Sequence, residues 1–207
     1  MNYTYKIATL NINAISSPMK IQMVTNFFLR QGIDITVLQA VANNDLFKIY
    51  GYSAHINIGT EKRGTAILMK EGISVNNIKT LPSGRGIAGL FEDTWLINVY
   101  TPSVAEKRHE WENFFTTELA YLLPTGPTEI LLAGDFNCVL SPADCTGAPN
   151  LSKALSATKQ DLPYMMRGNR HQSNFSTPST RTVVPQQSTG YISQTNYRHE
   201  NKGLRLS

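Results

Sequence analysis

The run Glu129-Ile130-Leu131-Leu132-Ala133, which ends on Gly134-Asp135-Phe136-Asn137, constrains this chain most. An apolar run of this length reads as a central strand covered on both faces, so the chain needs a layer on each side of a sheet. The preceding sequence supplies strands and helices in alternation. Lys6 to Leu10 is a short apolar strand, and Ser17 with Pro18 is an N-cap followed by proline at the first helical position. Ile21, Val24, Phe27 and Phe28 then recur at spacings of three and four, and Gly32 stands where a left-handed C-cap belongs. Ile35 to Leu38 reads as a buried strand. Further strands are expected around Tyr52 to Ile56, Gly64 to Met69, Ile73 to Ile78, Gly86 to Phe91 and Thr94 to Val99. A second helix is expected from a capping box, Ser103 with Glu106, carrying Trp111, Phe114, Phe115, Leu119 and Leu122 until Pro124 to Pro127 ends it. The pattern fits a layered α/β domain whose site lies at strand ends, and it shows no internal repeat.

Charge and polarity change near residue 163. Residues 1–163 hold 13 Lys and Arg against 14 Asp and Glu, whereas residues 164–207 hold 6 basic residues and 1 acidic one. The formal charge of +4 therefore comes from the tail, where 19 of 44 residues are Ser, Thr, Asn or Gln. Such a segment has little apolar surface to bury, so the reading is a domain over 1–163 and a polar basic, disordered tail over 164–207. Cys138 and Cys145 are too few for a disulfide scaffold and have no spacing suited to zinc, so both are expected as reduced thiols. With no signal-peptide pattern and no long apolar stretch, the chain is expected to be cytoplasmic, unsecreted and free of membrane.

Four strands end on polar groups: Asn11 and Asn13 after the first, Gln39 after the second, Tyr100 after a later one, and Asp135 with Asn137 after the central one. A carboxylate beside an amide suits phosphoryl chemistry, the first accepting a proton from water and the second donating to a charged oxygen. A Gly-Asp pair after a strand is, however, more often an ordinary turn than a catalytic base.

The ordered set Thr9-Leu10-Asn11-Ile12-Asn13, Val37-Leu38-Gln39, Arg63-Gly64-Thr65-Ala66-Ile67-Leu68, Gly84-Arg85-Gly86-Ile87-Ala88, Ile97-Asn98-Val99-Tyr100-Thr101-Pro102-Ser103 and Gly134-Asp135-Phe136-Asn137 resembles the endonuclease/exonuclease/phosphatase superfamily. Together with Asp144-Cys145-Thr146-Gly147 and Leu151 to Ala157, it resembles, within that superfamily, the endonuclease domains of non-LTR, LINE-type (jockey-like) retrotransposons. The resemblance covers residues 5 to about 157. It implies a deoxyribonuclease-like two-sheet α/β sandwich that cuts a DNA phosphodiester with Mg²⁺ and an activated water. On the matching positions, Asn11 helps organise the metal end, Tyr100 contacts the scissile phosphate, Asp135 orients and deprotonates the water, and Asn137 steadies the oxyanion. Arg63 is a candidate DNA-backbone contact. The implied partners are DNA and, in the parent element, a reverse transcriptase domain, with the chain itself a monomer, and the resemblance makes a nuclear location the alternative to a cytoplasmic one.

The pattern breaks in two places. Where the family places its metal-binding glutamate this chain has Ala40, and a methyl group cannot ligate a hard cation. The family's late IDRIY-like strand and final Ser-Asp-His block are absent, since none of His55, His109, His171 and His199 follows Ser-Asp. The C-terminal part of the fold is therefore missing or altered. Met165-Met166 fixes six bases, and permitted codons read in a shifted frame there give Asp-Ala-Trp, while Gln187 to Ile192 in the same frame give Val-Asp-Arg-Ile-Tyr. These matches point to a frameshift between Ala157 and Tyr164. The leading expectation is a Mg²⁺-dependent endonuclease domain that is catalytically impaired. The alternatives are a non-catalytic DNA-binding remnant of the same fold and a phosphatase acting on small phosphates or lipids.

Overall fold

The computed structural model describes residues 4–14, 17–42, 49–102, 107–126, 128–137, 181–183 and 193–198, the last two segments as backbone alone. Cys138, Cys145, the Ser103 to Glu106 capping box and Leu151 to Ala157 lie outside the described residues.

Strand β1 (Thr4–Asn11) leads to helix α1 (Pro18–Gln31), which returns the chain to β2 (Ile35–Val41) parallel to β1. The caps of α1 follow the sequence: the Ser17 hydroxyl accepts the Lys20 N–H at 3.3 Å, and Gly32 takes φ 61° to close the C-terminus. Strands β3 (Tyr52–Ile58) and β4 (Gly64–Lys70) complete this sheet as a hairpin beside β2. The second sheet is built from β5 (Asn76–Thr80), β6 (Gly86–Phe91) and β7 (Thr94–Tyr100) as antiparallel neighbours. Helix α2 (Arg108–Asn113), a π turn (Phe114–Glu118) and α3 (Leu119–Leu122) then carry the chain to β8 (Glu129–Asp135), parallel to β7. The strand expected at Ile73 to Ile78 lies later, at Asn76–Thr80, because Ile73 follows the turn out of β4 and Val75 packs inward before pairing begins.

Two pieces of the polar tail, for which the sequence suggested disorder, are also strands. β9 (Arg181–Val183) lies parallel beside β8, and β10 (Ser193–Arg198) lies antiparallel beside β1 with Thr4 opposite Arg198 and Thr9 opposite Ser193. A ladder needs backbone N–H and C=O groups, which a polar segment supplies as well as an apolar one. The sheet orders are β10-β1-β2-β4-β3 and β5-β6-β7-β8-β9.

Period-two alternation divides the core into three layers. Between the sheets lie Ile7, Ile35, Val37 and Ile67 from one side and Ile87, Phe91, Leu96, Leu131 and Ala133 from the other. The opposite faces of the first sheet, with Ala8, Leu10, Leu38, Ala66 and Leu68, receive Phe28 of α1. The opposite faces of the second, with Ala88, Trp95, Ile97, Val99 and Leu132, receive Trp111, Phe114, Phe115 and Leu122. Strands β2 and β8 are thus covered on both sides, as their apolar runs require. Among the described residues no helix is long and apolar enough to cross a membrane.

Tyr52 ties β3 to the end of α1 through its hydroxyl, which donates to the Ile33 carbonyl at 2.5 Å. Burial, with the Asp34 carboxylate adding to it, pushes this phenol from 10.0 up to about 12. A group that folding keeps protonated contributes its stability in full below its unfolded pKa of 10.0 and loses it as pH rises through about 12. Tyr52→Phe is expected to cost about 1 kcal/mol at neutral pH and to flatten the fall in stability between pH 10.0 and about 12. Urea unfolding at a series of pH values reads both effects, and parallel pH profiles for the two proteins would refute the assignment.

Candidate active site

The parallel pairs β1/β2 and β7/β8 bring four strand C-termini to one end of the sandwich, with Asn11 opposite Gln39 and Tyr100 opposite Asp135. Across the gap between the sheets, the Asn11 Nδ2 donates to Asp135 Oδ2 at 2.6 Å. The other carboxylate oxygen, Oδ1, accepts the backbone N–H of Asn137 at 2.9 Å. Asp135 is half-buried and held by a donor on each oxygen. Close approach of the two strands is possible here because residue 134 is glycine: it sits at φ 148°, and a Cβ would lie 2.0 Å from the Val99 carbonyl oxygen.

Asn137 does not continue the strand. It takes φ 46°, and its Nδ2 donates to the Thr101 carbonyl at 2.6 Å. Thr101 in turn donates its N–H to the Asp135 carbonyl at 2.9 Å. The segment after Tyr100 and the segment after Asp135 are therefore stitched into one unit. The composition of a strand end signals polarity but not such cross-links, which is why Thr101 escaped the sequence reading.

On the first sheet the strand ends are strained. Asn13, Ala14 and Ala40 take φ values of 41°, 62° and 55°, a region that non-glycine residues occupy at a cost. Ala40 falls at a β-bulge between Gln39 and Val41. The bulge is pinned from outside, since Ile12 N–H donates to the Gln39 carbonyl at 3.1 Å and Ala14 N–H to the Ala40 carbonyl at 2.9 Å. Arg63 joins the same end: its Nη1 donates to Asn13 Oδ1 at 3.1 Å, and Asn13 N–H donates to Asn11 Oδ1 at 2.9 Å. A polar chain thus runs from Arg63 through Asn13, Asn11 and Asp135 to Asn137.

Gln39 departs from the sequence expectation. It does not open onto the strand edge but is fully buried, and its Nε2 donates to Asn98 Oδ1 at 2.7 Å and to Thr9 Oγ1 at 3.1 Å. Asn98 donates in turn to the Leu38 and Ala66 carbonyls at 2.8 and 3.0 Å. This amide pair joins the two sheets just beneath the site. Alternation along β7 could have marked Asn98 as inward-facing, because its neighbours at Leu96 and Tyr100 share its side of the strand.

Tyr100 is fixed by Arg85, another residue given no role from the sequence. The Tyr100 N–H donates to the Arg85 carbonyl at 2.8 Å, and the guanidinium carbon lies 5.8 Å from the centre of the tyrosine ring.

The donor set does not suit Mg²⁺. Among the described residues no group of three or more His, Cys, Asp or Glu is placed to hold a metal ion. Asp135 already accepts two hydrogen bonds, the Asn11 oxygen accepts one, and Ala40 presents a methyl group that is 1% exposed. Magnesium requires an octahedral shell of oxygens anchored by carboxylate.

No protein-family model matches the sequence, and no curated protein matches it either. The architecture is nevertheless shared with solved structures. An AP endonuclease from Archaeoglobus fulgidus superposes with a TM-score of 0.61 at 20% identity, covering 81% of this chain and 70% of that one. An AP endonuclease from Leishmania major gives 0.61 at 18% identity, with 83% and 67% covered. A 3′–5′ exonuclease from Neisseria meningitidis gives 0.52 at 23% identity, with 69% and 61% covered. The fold is an α/β sandwich of the endonuclease/exonuclease/phosphatase type.

Proposed function

We propose that this chain is the DNA-directed endonuclease domain of a LINE-type retroelement, catalytically impaired by two losses. The observation that carries the reading is the Asn11–Asp135–Asn137 constellation, hydrogen-bonded across two sheets at the strand ends of a nuclease-type sandwich. Support comes also from the solved structures of this fold, which include two AP endonucleases and an exonuclease. In this reading Asp135 orients a water and takes its proton, with its carboxylate steadied by Asn11. Asn137 gives one amide N–H to Thr101, and its second N–H is a donor for the charge that develops on the phosphate. Tyr100 and Arg63 contact the phosphodiester. In intact members the bound Mg²⁺ would add Lewis-acid stabilisation of that charge.

The losses are the carboxylate at position 40 and the C-terminal Asp/His block, whose absence we attribute to a frameshift between Ala157 and Tyr164. Each removes a group that stabilises the transition state, and one such group is worth about 10²–10³ in rate. Purified protein is therefore expected to bind duplex DNA but to nick supercoiled plasmid in Mg²⁺ at a trace rate, with Asp135→Asn removing what remains. Ala40→Glu alone should leave nicking weak. Strong Mg²⁺-dependent nicking by the unaltered chain would refute impairment, and strong recovery in Ala40→Glu would show that the C-terminal block is dispensable.

A further inference from the structure

Beside Tyr100 a groove of about 430 Å³ opens between the β3–β4 turn, the β5–β6 turn and α2, lined by Thr60, Glu61, Ser83, Arg85, Pro102 and Glu118 among others. Its volume falls within the range of small-ligand sites. The side chain of Arg85 is only 14% exposed, so this guanidinium has lost most of its water. Its Nη2 lies 2.8 Å from Glu61 Oε2, while Lys107 Nζ lies 3.5 Å from the other oxygen, Oε1. One carboxylate is thus straddled by two cations from distant parts of the chain.

The cations and the acid differ in how they are held. Arg85 is anchored by its carbonyl and its ring contact to Tyr100, and its own N–H donates to Ser83 Oγ at 3.4 Å. Glu61 is 57% exposed and sits in a tight turn, where Lys62 takes φ 56° and donates its N–H to the Gly59 carbonyl at 3.0 Å. The carboxylate can swing out by side-chain rotation while the guanidinium stays. Arginine presents two parallel N–H groups to a carboxylate and to a phosphate in the same geometry.

We propose that Arg85 and Lys107 form a phosphodiester subsite beside Tyr100, and that Glu61 occupies it in the free protein. The subsite rests on the DNA reading for the identity of its ligand, and it would hold the phosphate next to the one that Tyr100 touches. Two further acids temper it: Glu110 Oε2 lies 3.3 Å from Lys107 Nζ, and Glu118 accepts the Ser83 hydroxyl at 3.0 Å. A phosphate entering must displace Glu61, so the free protein's affinity is held down, and affinity is expected to be strongly salt-dependent once the acid is removed.

The test is fluorescence anisotropy with a short duplex oligonucleotide over a range of salt. Glu61→Gln should tighten binding about fivefold at low salt and steepen the slope of log K against log salt by about 0.9, the value of one added phosphate contact. Arg85→Gln in the same background should cancel the gain. Glu71→Gln, an exposed acid at the far end of β4, controls for the loss of a charge anywhere and should leave the slope unchanged. Equal effects of Glu71→Gln and Glu61→Gln, or no tightening by Glu61→Gln, would overturn the subsite. If neither protein binds DNA, inorganic phosphate is titrated against the Arg85 Nε–H resonance. A shift in Glu61→Gln but not in the unaltered chain keeps the subsite and removes the DNA reading, and no shift in either removes the subsite as well.

Discussion

Replacing Trp111 by alanine is expected to lower stability by about 3–5 kcal/mol, enough to reduce the melting temperature by roughly 10–15 °C in a domain of this size. Trp111 is almost completely buried and packs on Phe115 with ring centres 4.7 Å apart, and Phe115 stacks on Phe136 at 6.3 Å. Its indole N–H also donates to the Phe136 carbonyl at 3.0 Å. Alanine leaves a cavity and an unpaired carbonyl together. Because Phe136 stands between Asp135 and Asn137, the same substitution should loosen the Asn137 N–H on Asp135, read as faster amide exchange at Asn137 than at strand residues such as Leu96. Trp111→Phe keeps most of the volume and loses only the donor, so its cost should be nearer 1–2 kcal/mol. A loss below about 1 kcal/mol for Trp111→Ala would mean that the helix is not the support of this turn.

The helical layer illustrates what the sequence could and could not reveal. The stripe Trp111, Phe114, Phe115, Leu119 and Leu122 was legible as core, and all five are buried. Its interruption by a π turn was not, because the extra residue changes the hydrogen-bond ladder while leaving the same side chains inward. The described helix begins at Arg108, with Lys107 before it making no side-chain cap. Strand order was likewise beyond periodicity: alternation reports which face is buried but not which strand lies beside which.

At the site, the polar residues of the strand ends were legible one by one and their connections were not. Asn11, Tyr100, Asp135 and Asn137 lie at one end of the sandwich, and Arg63 reaches them through Asn13. A hydrogen bond such as Asn11 to Asp135, 124 residues apart in sequence, is a property of sheet packing and leaves no local trace. Gln39 shows the opposite limit. Read as a strand-end polar group it looked exposed, yet it shares the inward face of its strand with Ile35 and Val37, where a buried amide is tolerated because Asn98 accepts from it. Gln39 thus holds the two sheets together beneath the site while the next residue, Ala40, presents only a methyl group, so what holds the strand end and what it presents are set by different residues.

That separation is testable at the amide pair itself. Asn98→Leu removes two donors to the Leu38 and Ala66 carbonyls and the acceptor of Gln39 Nε2, and each group stranded in the dry space between the sheets costs about 1–3 kcal/mol. A loss of about 3–4 kcal/mol in urea unfolding is therefore expected. Gln39→Leu should cost less, because Gln39 Oε1 already lacks a partner. The double substitution should be milder than the sum by about 1 kcal/mol or more, since two apolar groups facing each other leave neither amide stranded. Strict additivity would show that the two amides are not a coupled pair. The site supplies an independent readout. Gln39 immediately precedes the bulge whose carbonyls accept from Ile12 and Ala14, so loss of the pair should move the β1 end and lengthen the 2.6 Å contact of Asn11 with Asp135. An Asn11 side-chain amide resonance that stays unchanged in the double variant would place the anchoring of the site in the bulge alone, and not in the polar bridge beneath it.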